Sequence, residues 1–390
     1  MTDKKFSFKN SGYGSFTDED FEKIFNQESK NFEKTIKNKL IIGLFGEVNS
    51  GKSQTINALT GRKLSKVTAY AGETKEVLLH KYSDNVYIAD TPGLNDINES
   101  ISQRASDFVE KETDIILLFF NAAVGANKST IDTYHNLKKL NKPIIIVLNK
   151  IDIWNDENGF NKYEYYQVIN QIERETNDKV IAISAKKGVG IKRLNEKIVN
   201  LLEGNGKEVL YSKVSKFKET QVSSWINTAA VSSFGVGIIP LPCADMIPLT
   251  TIQVGLAIKI AYIYDCKIDK EDVMTLIGST ITSSIGKQLF KLGVQGLKAL
   301  GWLGGPFGVG ATATLAGTIA ASITYGFGWA CNAYYKSGMT LNLGILGKIY
   351  KEYYDNYYST NREVAVTKIK TKRRDTNKKN YSSKWNKKNK

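Results

Sequence analysis

The sequence predicts an α/β fold with a mostly parallel six-stranded sheet, followed by an all-α hydrophobic helical region. Three observations predict it. From Leu40 to about Gly204, short apolar runs alternate with stretches of helical periodicity, the pattern of a three-layer sheet covered on both faces. A glycine-containing loop, Gly46-Glu47-Val48-Asn49-Ser50-Gly51-Lys52-Ser53, sits between the first such run and the first such helix. Beyond Gly204 no strand alternation is found, and long segments almost without charge take over.

In chain order, residues 1 to 16 read as a mobile leader; Met1-Thr2-Asp3-Lys4-Lys5 is polar, so no secretion signal is expected. Thr17-Asp18-Glu19-Asp20 starts a helix with acids in its first turn, and Phe21, Ile24, Phe25, Phe32 and Ile36 follow at helical spacing. Core packing is the favoured reading of that face, with a membrane-surface helix as the alternative. Strands are expected at 40–46, 76–82, 86–90, 114–120, 143–149 and 180–184, and helices near 52–60, 97–111, 128–140, 163–176 and 190–203. Residues 61 to 75 lack periodicity, as a mobile loop should. Four regions result: 1–39, a leader and amphipathic helix; 40–204, the α/β domain; 205–355, the helical region; and 356–390, a basic disordered tail.

The loop at Gly46 matches G-x-x-x-x-G-K-S, the phosphate-binding loop of P-loop NTPases, in the strand-to-helix context that the motif requires. Gly46 and Gly51 let the backbone curl so that N–H groups from Glu47 to Gln54 can point at phosphates. The helix N-terminus adds its positive dipole end. Lys52 reaches the β- and γ-phosphates, and the Ser53 hydroxyl suits Mg²⁺. Asn149-Lys150-Ile151-Asp152, after the run Ile144–Leu148, is the N-K-x-D guanine box. A carboxylate there accepts two hydrogen bonds from guanine N1–H and its 2-amino group, a donor pair that adenine lacks, which selects GTP and GDP. Asp90-Thr91-Pro92-Gly93 matches D-x-x-G: Asp90 would hold Mg²⁺ through water and the Gly93 N–H would sense the γ-phosphate. Ser184-Ala185-Lys186 matches the S-A-K box behind the base. Thr74 falls where a switch threonine reaches Mg²⁺. Five boxes in this order and spacing are a highly specific signal.

Residues 40 to 204 resemble the G domain of the Era/MnmE/Der group of translation-factor-class GTPases. In that group the switch threonine lies in a T-T-R-D/E stretch; here Glu73-Thr74-Lys75-Glu76 keeps Thr74 and Glu76 and departs at Glu73 and Lys75. Leu94 stands where Ras-like enzymes carry a water-orienting glutamine, a replacement that the group shares, so slow unassisted hydrolysis is implied. The resemblance also implies an activating K⁺ bound with help from Asn49, and a homodimer through the G domain.

Composition narrows the rest. Hydrophobic residues make up 42% of the 390, enough for real cores in two domains. Cys243, Cys266 and Cys331 are odd in number and widely spaced, which suits a reducing cytoplasm and gives no metal site. His80 and His135 lack partner arrangements and read as surface residues. No common lipidation motif is coded. The net charge is +15, and residues 361 to 390 carry 12 Lys and Arg against Glu363 and Asp375, so most of it lies in the tail. That segment fits anionic lipid, RNA, or a solvated solubility tail.

In the helical region, Ala229 to Tyr264 carries only Asp245 and Lys259 as charges. Pro240 should end one helix and Pro248 start another. Asp269-Lys270-Glu271-Asp272 should cap a helix running to about Leu289. Ala299 to Tyr335 is a run of 37 uncharged residues. Its part from Val309 to Tyr334 has the length to cross a bilayer, with Ala313, Gly317 and Ala321 as a small-residue face and Trp302, Tyr325, Trp329, Tyr334 and Tyr335 as flanking aromatics. A buried central helix of an all-α domain reads the same way, since Thr, Ser and Gly dilute the run. The stretch Gly237–Asp245, with Tyr262-Ile263-Tyr264-Asp265 beyond it, resembles the membrane-associated helical domain of unassigned function fused to bacterial Era-type G domains. It also resembles the helical domain of the dynamin-like immunity-related GTPases. That similarity covers about residues 225 to 336 and implies a GTPase at a cytoplasmic membrane face. Two rivals stay open: an Era-like factor binding ribosomal RNA, against which no K-homology module follows the G domain, and a GTP-gated membrane-active effector.

Overall fold

The computed structural model describes residues 6–8, 16–62, 78–83, 85–90, 103–156, 159–237, 246–282 and 305–361. The expectations for Thr74, for Gly93 and Leu94, for the loop 63–75, and for residues 238–245, 283–304 and 362–390 lie outside them. The chain divides into two compact units, one of Glu33–Lys218 and one of Met1–Phe32 with Glu219–Lys390.

Helix α1 (Asp18–Lys37) is divided between them at residue 33. Its start is a reciprocal cap: the Asp20 N–H donates to Thr17 Oγ1 at 3.2 Å, and the Thr17 N–H donates to Asp20 Oδ2 at 3.0 Å. The Thr17 hydroxyl, donating to Asp20 Oδ2 at 2.8 Å, and then the Thr17 N–H hold the Asp20 carboxyl below its ordinary range.

The α/β unit is a six-stranded sheet: β1 (Leu40–Gly46), β2 (Leu78–Ser83), β3 (Val86–Asp90), β4 (Ile115–Asn121), β5 (Ile144–Asn149) and, as its last strand, Val180–Ala182. A short hairpin, β6 (Asn155–Asp156) with β7 (Gly159–Phe160), lies outside that sheet, so the last strand is β8. The order is β2-β3-β1-β4-β5-β8. Only β2 runs antiparallel to its neighbour. Every residue of β1 is buried, as an apolar run covered on both faces must be. Alternation sends Phe45, Ile116, Leu118 and Phe120 to a core shared with α3 (Gln103–Glu112), α4 (Lys128–Lys138) and α5 (Lys162–Thr176). Ile42 points the other way. There it meets Ile56 and Leu59 of α2 (Lys52–Thr60), Ile198 of α6 (Ile191–Glu203), and Tyr211 and Val214 of α7 (Glu208–Val214).

The α/β unit continues past Gly204 because α7 is part of it. All of its residues but Lys213 are buried. Lys207, ahead of it, pairs with Asp114 Oδ1 at 2.5 Å, and the Lys216 N–H after it donates to Leu59 O at 2.9 Å. Sequence reading found neither α7 nor the hairpin, because both are too short to show a period. His80, read as a surface residue, is half-buried, and its Nδ1 is buried without a hydrogen-bond partner.

The helical unit contains, among the described residues, α8 (Lys218–Gly237, from Glu219 onward), α9 (Met246–Ile263), α10 (Lys270–Thr282), α11 (Gly305–Lys336) and α12 (343–361). Pro248 falls in the first turn of α9, where its missing N–H costs nothing. Asp269 caps α10 by accepting from the Glu271 N–H at 2.8 Å. On α11, Gly328 admits Ile226 and Leu256 so closely that a Cβ there would lie 2.7 Å from Ile226. Ring stacking of Trp329 on Tyr353, 4.7 Å between centroids, joins α11 to α12.

Two expectations change here. The disordered tail does not begin at 356, since α12 runs through residue 361. The reading of 309–334 as a bilayer span is also corrected. Among the described residues no helix is long and apolar enough to cross a membrane, because Thr, Ser and Gly dilute α11.

Candidate functional site

Strands β3, β1, β4 and β5 end side by side in that order, in register. Leu44 pairs with Asp90, Gly46 with Phe119, and Asn121 with Asn149. The carboxyl ends of parallel strands are where such sheets bind ligands. Here they carry Gly46, Asp90 and Asn149 of three boxes, with Ser184 just beyond β8.

The loop Gly46–Gly51 turns on positive φ at Gly46 (131°), Asn49 (63°) and Gly51 (90°). Gly51 is required twice over: its conformation is left-handed, and a Cβ would lie 2.1 Å from Asn149 Nδ2. Lys52 opens α2 and folds back into the loop, donating to Gly46 O at 2.9 Å and Glu47 O at 3.2 Å. Burial pushes the Lys52 ammonium below the ordinary lysine range, and the nearby Asp90 carboxylate partly offsets this. A half-buried cation at a helix N-terminus is arranged for an anion.

Ser53, also in the first turn of α2, is exposed. Asp90 Oδ1 and Ser50 Oγ are buried without hydrogen-bond partners. A hydroxyl and an unmet carboxylate oxygen form a hard-oxygen donor set, so Ser53 and Asp90 fit Mg²⁺.

On the base side Asn149 is fully buried. Its Nδ2 donates to Ser50 O at 2.9 Å, and its Oδ1 accepts from the Ala185 N–H at 3.1 Å. Lys150 adopts φ 68° and caps the single 3-10 turn Ile151–Trp154 that carries Asp152. Ser184 Oγ donates to Asp152 Oδ1 at 2.6 Å and accepts from the Lys187 N–H at 3.1 Å. One carboxylate oxygen is thereby pinned. Lys186 is exposed.

Asn49, Ser50, Gly51, Lys52, Ser53, Asp90, Asn149, Lys150, Asp152, Ser184, Ala185 and Lys186 therefore gather at one end of one sheet. Glu47, Val48 and Gln54 complete the loop and its helix start. One contributor escaped sequence reading: Val189, whose carbonyl accepts the Ser184 N–H at 3.0 Å and closes the S-A-K loop. The Gly188 and Gly190 pair was its available signal, marking a tight turn. Among the described residues no cluster of His, Cys, Asp and Glu suits a transition metal.

Two family profiles match the chain. Residues 41–150 match one described as "50S ribosome-binding GTPase", and residues 205–357 match a domain of unknown function. GTPase Era of Campylobacter fetus is 34% identical over 132 residues, 33% of this chain and 45% of that one. tRNA modification GTPase MnmE of Desulforamulus reducens is 32% identical over 165 residues, 41% of this chain and 34% of that one. GTPase Der of Clostridium kluyveri is 28% identical over 177 residues, 44% of this chain and 38% of that one. The chain thus spans less than half the length of each of these relatives. The strand-end cluster and the matched profile agree: this chain carries a P-loop GTPase domain of the Era/Der/MnmE type.

Proposed function

We propose that the chain binds GTP with Mg²⁺, hydrolyses it to GDP and phosphate, and acts as a switch at a membrane through its helical unit. The observation that carries the nucleotide part is Asp152, held by Ser184 at 2.6 Å with its other oxygen left to a base. Lys52 is the phosphate cation. Ser53 and Asp90 hold Mg²⁺, which neutralises charge on the phosphates when bound, and Thr74 and the Gly93 N–H complete the γ-phosphate side. Leu94 offers no group to orient the attacking water, so unassisted turnover is slow. Asn49 contributes to a K⁺ site that accelerates it, and pairing of two G domains is the arrangement that would enclose this ion. Turnover in KCl against NaCl, with Asn49→Ala as control, reads that part; equal rates remove it.

The membrane part rests on two nearly charge-free segments of the helical unit, residues 229–264 and 299–335, beside a segment with 12 basic and 2 acidic residues after Asn361. Apolar segments next to a polybasic segment follow the two-signal logic of membrane attachment. The site of action is then the cytoplasmic face. Pelleting of the full chain with anionic vesicles at low salt tests this, and deletion of residues 362–390 should weaken it while leaving GTP binding intact. If the protein stays in the supernatant, RNA is next to be tried against the tail.

A further inference from the structure

The interior of the helical unit contains polar side chains of two kinds. Some are paired across helices. Ser233 on α8 bonds Thr324 on α11 at 2.8 Å, and Tyr264, just after α9, donates to Asn332 on α11 at 2.9 Å. Others are buried and unpaired. Gln253 on α9 is 1% exposed, and neither its Oε1 nor its Nε2 has a hydrogen-bond partner. Thr250, one turn earlier on the same face, is fully buried with Oγ1 unpartnered. Gln221 Nε2 on α8 is in the same state.

A buried amide with neither half bonded disfavours the packing that contains it, because water would satisfy both halves. Leucine at 253 would bury a similar volume at no such cost. The residues that follow it on α9 pack tightly: Val254, Leu256, Ala257, Ile258, Ile260 and Ala261 are all buried. The buried polar positions of α9 are therefore a weak seam in a closely packed core.

We infer that the helical unit has a second arrangement in which α9 parts from α11 and gives Thr250 and Gln253 to water, with Gln253 setting how often it is reached. The seam makes the closed form only marginally preferred, which is what a switching element requires. The inference does not depend on the nucleotide site or on membrane binding.

Cys331 is a reporter already in place. It lies on α11, fully buried, between Gly328, which meets Leu256 of α9, and Asn332, which meets Tyr264. Its burial raises the thiol well above the ordinary cysteine range, so it reacts only when exposed. In the full chain carrying Cys243→Ser and Cys266→Ser, a maleimide should label Cys331 with a weaker dependence on urea than global unfolding shows, the mark of partial opening. Adding Gln253→Leu should slow that labelling by about tenfold or more and raise the Tm, since closing no longer strands an amide. Thr250→Val, nearly isosteric, should act in the same direction and serves if the leucine variant does not fold. Unchanged or faster labelling in a folded variant overturns the inference, because the side chain would then be satisfied in the closed form. Labelling of the parent only through global unfolding overturns it equally.

Discussion

Asn149 Nδ2 donates to the Ser50 carbonyl at 2.9 Å, tying the guanine box to the phosphate loop across 99 positions of sequence. The same side chain accepts from Ala185 N at 3.1 Å, so three of the sequence boxes meet at one fully buried amide. Asn149→Ala strands a backbone carbonyl and an N–H, each worth about 1–3 kcal/mol when buried and unpaired. The variant should lower both the Tm and the GTP affinity, the latter by about tenfold or more. Calorimetric unfolding and nucleotide titration check it; an unchanged affinity would reduce Asn149 to a packing residue.

Asp152 is a specificity residue on this geometry, with Ser184 fixing one carboxylate oxygen. Asp152→Asn replaces an acceptor by a donor opposite the guanine 2-amino group. GTP affinity should fall by about 10²-fold or more, and preference should shift toward xanthosine nucleotides. Competition between GTP and XTP on the variant reads this. A variant that keeps its preference for GTP removes Asp152 from base recognition.

Lys52 contributes to stability with a defined sign. Its folded-state pKa lies below its unfolded value because of burial. Between those two values the unfolded chain binds the extra proton, so stability rises with pH through that window. Relative to Lys52→Ala, the nucleotide-free protein should gain Tm as pH climbs from 7 toward 10, while the GTP-induced rise in Tm is lost in the variant at every pH. A Tm gap that does not move with pH contradicts the burial argument; a retained GTP effect contradicts the phosphate-binding role.

How much of this was legible in the sequence depended on length and period. Ile144–Asn149 and Leu40–Gly46 were readable as strands because strands buried on both faces leave uninterrupted apolar runs. The boxes were readable because phosphate and guanine recognition constrain residue type and spacing together. The Asn149 bridge was not, since it joins loops far apart in sequence through backbone atoms that carry no residue signature. Helix α7 was hidden for another reason. Seven residues are two turns, and one buried on nearly every side shows no amphipathic stripe. The stacking of Trp329 on Tyr353 was hidden likewise: those aromatics read as interface anchors until α12 was seen to cover them.

The burial of α7 fixes where the α/β unit can be cut. A fragment of residues 33–218 should fold, bind GTP and unfold cooperatively. A fragment of residues 33–204 should be less stable by several kcal/mol, since it bares the surface beneath Val209, Leu210, Tyr211 and Val214. Urea melts of the two fragments make the comparison. Equal stability would mean that α7 adds nothing to the unit it packs in.

The most direct test of the central claim is nucleotide selectivity and turnover on the purified full chain with Mg²⁺. Displacement of a fluorescent GTP analogue by unlabelled GTP, GDP and ATP, followed by phosphate release, measures both. The account predicts displacement by GTP and GDP, negligible displacement by ATP, and slow release of phosphate from GTP that Lys52→Ala abolishes. ATP competing as well as GTP, or phosphate release that survives in Lys52→Ala, would contradict it.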